Sequence, residues 1–315
     1  MTIIICKVQS GMCNRLMPFI TSYRVAMNLN LQYFLNWDHE CRDTDYSYEG
    51  EKTTYNHMFY NIDNVNYIDD HEIQSLMANK KTLVVKYLES NLYNVSIEDL
   101  LKNDVVFFNN YVHPIFIKED NVIINNYSNI SWVLDKTNYY KDLQKYFNFL
   151  KPINTIQEKI DEVLLKFPEN KDNIIGFHIR HWPSNWLNND LSKKLVEGNF
   201  EKRIQIMDNA IKNNPFIKFF ISTTDINIIN ELIDKYKERI IYFENRFGYK
   251  QDDKYYTNNQ NKSKGNIYKN INGVVDLFLL GSCNLIIGDV ASSYSLCAPL
   301  LNINCTYRQI KELKY

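Results

Sequence analysis

Residues 176 to 182 read GFHIRHW and close a run, DNIIGFHIR, with the apolar density of a buried strand. His178 and Arg180 are two positions apart. On an extended chain both therefore fall on one face of the sheet, with Phe177 and Ile179 on the other. A guanidinium offers a planar fork of donors that fits a carboxylate or a phosphate, and an imidazole beside it can donate to a phosphate or a ribose hydroxyl. Two readings are open for Arg180: an ion pair with a core carboxylate, or an anion held at the strand end.

Other stretches hold comparable chemistry. In DLFLLGSCNLIIGDVASSYS (276 to 295) a helix and a strand lead into a serine-rich helix opening. Ser292 and Ser293 serve there either as N-caps or, with the adjoining N–H groups, as ligands of a diphosphate. Asp276 is either a solvated helical carboxylate or an acceptor of two hydrogen bonds from guanine. STTD (222 to 225) ends an apolar run, and its Asp225 caps the next helix or touches a nucleotide. SGMCNRL (10 to 16) joins the first strand to the first helix. Gly11 permits a tight turn there, and Asn14 either caps the helix or, with Arg15, reaches across an interdomain cleft. NWDHECRD (36 to 43) exposes Trp37, Asp38, His39 and Glu40, an aromatic with carboxylates that suits a sugar acceptor as well as it suits a wet loop.

The elements that must position these residues alternate. In the first half, strands at 3 to 8 and 32 to 37 flank a helix from Asn14 to about Leu29. Strands at 82 to 88 and 105 to 108 flank a helix capped by Ser96, and helical periodicity runs from about 130 to 150. Lys151-Pro152 interrupts it and marks the domain boundary, giving domains 1–151 and 152–315. In the second half, Ile156, Ile160, Val163, Leu164 and Phe167 share a helical face. Strands follow at 173 to 180, 217 to 223, 240 to 244 and 285 to 288, with helices at 199 to 213, 226 to 236, 274 to 283 and from Ser292. That is a doubly wound α/β domain. The polar stretch 245 to 270 is a surface loop or a lid over bound ligand.

Composition narrows the class. The chain has 315 residues, and 36 Lys and Arg stand against 37 Asp and Glu for a net charge of -1. Nothing in that balance draws it to nucleic acid, so any anion is met locally. No run is long and apolar enough to span a membrane, and the N-terminus lacks the pattern of a signal peptide, which together predict a cytoplasmic protein with its six cysteines reduced. No P-loop or GxGxxG spacing occurs, which argues against kinase and dehydrogenase chemistry.

In this order and spacing, HIR (178 to 180), STTD and the 276 to 295 stretch resemble the three donor-site motifs of the α1,2/α1,6/protein O-fucosyltransferase superfamily, and SGMCNRL resembles its N-terminal G-x-x-N-[RQ] loop. The resemblance implies a GT-B architecture, with two Rossmann-like domains facing across a cleft. It further implies an N-terminal acceptor side, a GDP-sugar donor bound by the C-terminal domain, inversion at the anomeric carbon and no required metal. Carried over, Arg180 would hold the β-phosphate, His178 the ribose or phosphate, Asp276 the guanine, and Ser292 with Ser293 and Tyr294 the diphosphate. Many relatives have a second arginine after the first, where this chain has His181. The general base for the acceptor hydroxyl would come from Asp190, Asp38 or Glu40. The expected function is metal-independent transfer of a sugar, fucose first, from GDP-fucose to a glycan or other hydroxyl acceptor. The alternatives are a catalytically silent nucleotide- or carbohydrate-binding protein on the same fold, or a metal-dependent GT-A enzyme using Asp43 and Asp45.

Overall fold

A computed structural model describes residues 1–8, 12–37, 47–48, 51–52, 54–86, 94–110, 116–117, 124–125, 131–132, 138–180, 190–244, 267–289 and 292–310. The chain forms two compact units, one of 1–127, 131–153 and 264–270, the other of 128–130, 154–263 and 271–315.

In the first unit the run IIICKV forms β1 (Ile3–Val8), buried on both faces, as a continuous apolar run must be at the centre of a parallel sheet. Helix α1 (Met12–Asn28) follows, then β2 (Gln32–Trp37), β3 (Val65–Tyr67), α2 (Asp70–Met77), β4 (Thr82–Lys86), α3 (Ile97–Leu101), β5 (Val105–Asn110) and α4 (Asn138–Phe147). The sheet order is β3-β2-β1-β5-β4, and every pairing is parallel. Ser96 caps α3 by accepting the Asp99 N–H at 3.0 Å. Asp69 and Glu72 form a reciprocal capping box at the start of α2.

The second unit runs α5 (Asn154–Leu164), β6 (Ile174–Ile179), α6 (Asp190–Asn213), β7 (Lys218–Thr223), α7 (Ile226–Tyr236), β8 (Ile240–Ile241), α8 (Ile267–Gly281), β9 (Leu285–Gly288), α9 (Ser293–Cys297) and β10 (Thr306–Gln309). Its parallel order is β8-β7-β6-β9-β10. The chain winds from β6 outward through β7 and β8, then returns to lay β9 on the other side of β6. The strand order therefore reverses between β6 and β9, which is where open α/β sheets bind ligands. Phe177 and Ile179 pack with Met207, Phe219, Ile221, Ile229 and Leu232 in the core on one face of β6. Gly176 lies on the other, where an added Cβ would meet Leu280 at 2.8 Å and the Cys283 sulfur at 3.0 Å.

Several sequence-derived boundaries shift. Helix α1 begins at Met12, two residues before the expected start. Helix α6 begins at Asp190 rather than near 199, and α8 at Ile267 rather than 274. In the expected helical stretch from 130, Ser131–Trp132 instead pairs antiparallel with Ile124–Asn125, and helix α4 covers Asn138–Phe147. The strand expected over 240 to 244 is limited to two residues. The loop or lid expected over 245 to 270 falls, up to residue 266, outside the described residues. Four cysteines, 6, 13, 283 and 297, are buried free thiols, as small apolar residues of a core. No helix among the described residues is long and apolar enough to cross a membrane.

Candidate active site

The C-terminal ends of β6, β7 and β9 bring together side chains that are far apart in sequence. His178, 8% exposed, places Nδ1 2.7 Å from the Ser295 hydroxyl and stacks on the Tyr294 ring with centroids 5.0 Å apart. The Tyr294 hydroxyl lies between two acceptors, the Gly273 carbonyl at 2.9 Å and Asp276 Oδ2 at 3.1 Å. The same carboxylate oxygen accepts the Ser222 hydroxyl at 2.5 Å, and Asp276 is 2% exposed. His178, Ser222, Asp276, Tyr294 and Ser295 thus form one polar network, buried except at Tyr294, joining β6, β7, α8 and α9. Asp276 is not the solvated helical carboxylate that one sequence reading allowed.

Ser292 occupies the N-cap position of α9 with extended backbone, φ −94° and ψ 115°, yet its side chain caps nothing. Its hydroxyl is buried without a hydrogen-bond partner, an arrangement that costs on the order of 1–3 kcal/mol. The capping explanation of Ser292 therefore fails. Ser293 begins α9 and is part-exposed. Asp225 does cap, accepting the Asn227 N–H at 2.9 Å at the start of α7.

Arg180 follows the last residue of β6, and its backbone N–H donates to Asp289 Oδ2 at 2.7 Å. The other oxygen of Asp289 accepts from Arg203 of α6 at 2.6 Å. The sequence reading named neither Asp289 nor Arg203. Asp289 lies inside the 276 to 295 stretch, where no local pattern separates it from an ordinary loop carboxylate. Arg203 carries no local pattern that separates it from a surface helix arginine.

In the first unit Asn14 lies inside the first turn of α1 and does not cap it, because the helix starts two residues earlier. Arg15 is wholly buried. Its guanidinium carbon lies 5.4 Å from the Trp37 ring centroid, and one nitrogen lies 3.5 Å from the Val8 carbonyl. Trp37 itself is 5% exposed at the end of β2. The expectation of an exposed Trp37 is corrected: parallel strands are covered on both faces, and the aromatic ring serves that cover. Nearby, Asn36 Nδ2 and Lys7 Nζ both reach Asp70 Oδ1, at 3.2 and 2.9 Å. Gly11, Asp38, His39, Glu40, Asp43, Asp45 and His181 lie outside the described residues. Asp190 begins α6. Among the described residues no group of three or more His, Cys, Asp or Glu side chains is placed to hold a metal ion.

Two α/β units, each built on a five-stranded parallel sheet, define the GT-B class of fold, and the two-sheet layout departs from the GT-A alternative. Solved fucosyltransferases share this fold. The chain is similar over 96% of its length to the NodZ alpha-1,6-fucosyltransferase soaked with GDP-fucose, covering 93% of that chain with a TM-score of 0.56 at 13% identity; NodZ has also been solved from Bradyrhizobium. It matches a mutant of Arabidopsis thaliana FUT1 in complex with GDP over 98% of this chain and 70% of that one, with a TM-score of 0.54 at 12% identity. POFUT1 in complex with GDP-fucose matches over 96% of this chain and 97% of that one, with a TM-score of 0.52 at 10% identity. No protein-family model and no curated protein matches the sequence.

Proposed function

We propose that this chain is an inverting, metal-independent glycosyltransferase that moves fucose from GDP-fucose to a hydroxyl of a glycan or similar acceptor. The second unit takes the donor, and the first unit provides the acceptor side. The observation that carries the reading is the buried Ser292 hydroxyl without a partner, at the reversal point of a doubly wound sheet whose neighbouring strand ends in His178 and Arg180. A protein does not ordinarily leave a buried donor orphaned, and a diphosphate oxygen is the partner that the ordered motifs imply. Structures of the same fold that contain GDP or GDP-fucose support it.

In the reaction the bond between the anomeric carbon and the β-phosphate oxygen breaks, and negative charge grows on the departing GDP. Fixed donors are needed where that charge develops, and Arg180 with Ser292 supplies them. His178, held by Ser295 and Tyr294, contacts the ribose or a phosphate, and Asp276 faces the guanine. The acceptor hydroxyl attacks from the opposite side of the sugar and gives its proton to a carboxylate, for which Asp190, Asp38 and Glu40 are the candidates.

A thermal-shift panel of GDP, UDP and dTDP, followed by a transfer assay with GDP-fucose in the presence of a chelator, tests the proposal. Ligand at 100 times its dissociation constant adds about 2.7 kcal/mol of apparent stability. GDP alone should stabilise, and transfer should survive chelation. Stabilisation by UDP instead would overturn the donor, and GDP binding with no turnover on any acceptor would make this a binding protein.

A further inference from the structure

The ladder between β6 and β9 pairs Ile175 with Leu285, Gly176 with Ile286 and Phe177 with Ile287, and then ends. Beyond it the chain continues from Asp289 toward Ser292, yet the edge of β6 is not left open. The Asp289 carboxylate takes the Arg180 N–H at 2.7 Å, standing in for a strand carbonyl. Its second oxygen takes Arg203 NH2 at 2.6 Å, and that same nitrogen lies 3.3 Å from the His178 carbonyl. The Tyr307 hydroxyl approaches the Asp289 carbonyl at 3.5 Å. Arg203 is 2% exposed and Asp289 8%.

A buried ion pair of this type is weak evidence for stability, because desolvation offsets the attraction. Here Arg203 Nε is also buried without a partner, a further cost. What the pair secures is geometry. One carboxylate ties together the strand end that carries Arg180, the segment that leads to Ser292, and helix α6 behind them.

We infer that Asp289 and Arg203 are positioning residues that fix the Arg180 guanidinium relative to the Ser292 hydroxyl, so that both meet the same diphosphate. This rests on Arg180 as a donor to that diphosphate; neither Asp289 nor Arg203 need touch the ligand.

The test is a double-mutant cycle read by calorimetric titration of GDP. Arg180→Ala should weaken GDP binding tenfold or more. Asp289→Asn should weaken it by a similar factor, and in the Arg180→Ala background should add little, because both act through one group. Arg203→Lys keeps the charge but loses the fork, so it should show a smaller, equally non-additive loss; it carries the same cycle if Asp289→Asn does not fold. A purely structural role would lower the melting temperature while leaving GDP affinity unchanged, or would give losses that add in full to that of Arg180→Ala, and either result overturns the inference alone. If Arg180→Ala itself binds GDP like the unmodified protein, the donor-site reading falls and takes the inference with it.

Discussion

Tyr294 and Asp276, 18 residues apart in sequence, meet at 3.1 Å between the phenol hydroxyl and Oδ2. The tyrosine ring lies at the same time on His178. One residue of a short helix therefore holds both the carboxylate proposed for the guanine and the imidazole proposed for the ribose or phosphate. Tyr294→Phe removes the first link and keeps the second. It should leave the melting temperature nearly unchanged, since a net hydrogen bond contributes about 1 kcal/mol, while weakening GDP severalfold by calorimetry. Asp276→Asn should go further and narrow the preference for GDP over inosine diphosphate, which lacks the guanine amino group. An unchanged preference would remove Asp276 from base recognition.

Ser292→Ala should move stability and activity in opposite directions. The substitution deletes a buried hydroxyl that has no partner in the protein, so the unfolding free energy from denaturant titration should stay level or rise, by up to about 1 kcal/mol. With GDP-fucose, kcat should fall about tenfold or more if the hydroxyl is the proposed donor to the departing diphosphate. A fall in stability with activity intact would show that the hydroxyl serves the fold.

Arg180→Ala should lower kcat/KM about a hundredfold, the usual loss on removing one charge-assisted donor to a developing anion. The Asp289 contact is to its backbone N–H, which alanine retains, so the circular dichroism spectrum should not change. Turnover near the unmodified rate would dismiss its assigned role.

Gly288→Ala tests how tightly β9 and α9 pack. An added Cβ would lie 2.7 Å from both Cβ and Oγ of Ser295 and 2.9 Å from the Tyr307 ring. Ser295 must shift, and with it the hydroxyl bound to His178. Overpacking of this sort typically costs 1–3 kcal/mol, so the melting temperature should drop and GDP binding should weaken with it. A variant that melts at the unmodified temperature would mean that α9 is loosely seated.

The alternation of apolar strands with amphipathic helices was legible because both faces of β1, β6 and β7 are buried and their sequences are correspondingly unbroken. β3 and α2 were missed, although the D-x-x-E pattern of Asp69 and Glu72 signals a helix start; β3 is three residues long and none of them is fully buried. β10 was missed because Thr306 and Arg308 alternate with buried Tyr307 and Gln309 at an edge. At the candidate site, the residues of the quoted motifs lie at the C-terminal ends of β6, β7 and β9. What one-dimensional reading could not supply was pairing: that Ser222 belongs to Asp276, Ser295 to His178, and Arg203 to Asp289 depends on elements brought together by the crossovers.

Two of the buried sulfurs, those of Cys6 and Cys283, give the fold an alkaline limit. Burial pushes the Cys6 thiol up to about 11, with hydrogen bonds to Ser22 and Tyr33 offsetting part of the rise, and burial likewise raises Cys283 and the Tyr33 phenol. Each group holds its proton more tightly folded than unfolded. Stability from the thiols is therefore complete below about pH 8.5, where the unfolded thiol titrates, and is lost as pH rises toward about 11 for Cys6. Within that window each such thiol should cost about 1.4 kcal/mol per pH unit. Urea midpoints at pH 8 and pH 10.5 should differ accordingly, and Cys6→Ala should reduce the difference. Thiol labelling at pH 8 should leave Cys6 and Cys283 unreacted until the protein is unfolded; rapid labelling of the folded chain at both positions would mean that these sulfurs are not enclosed by the core.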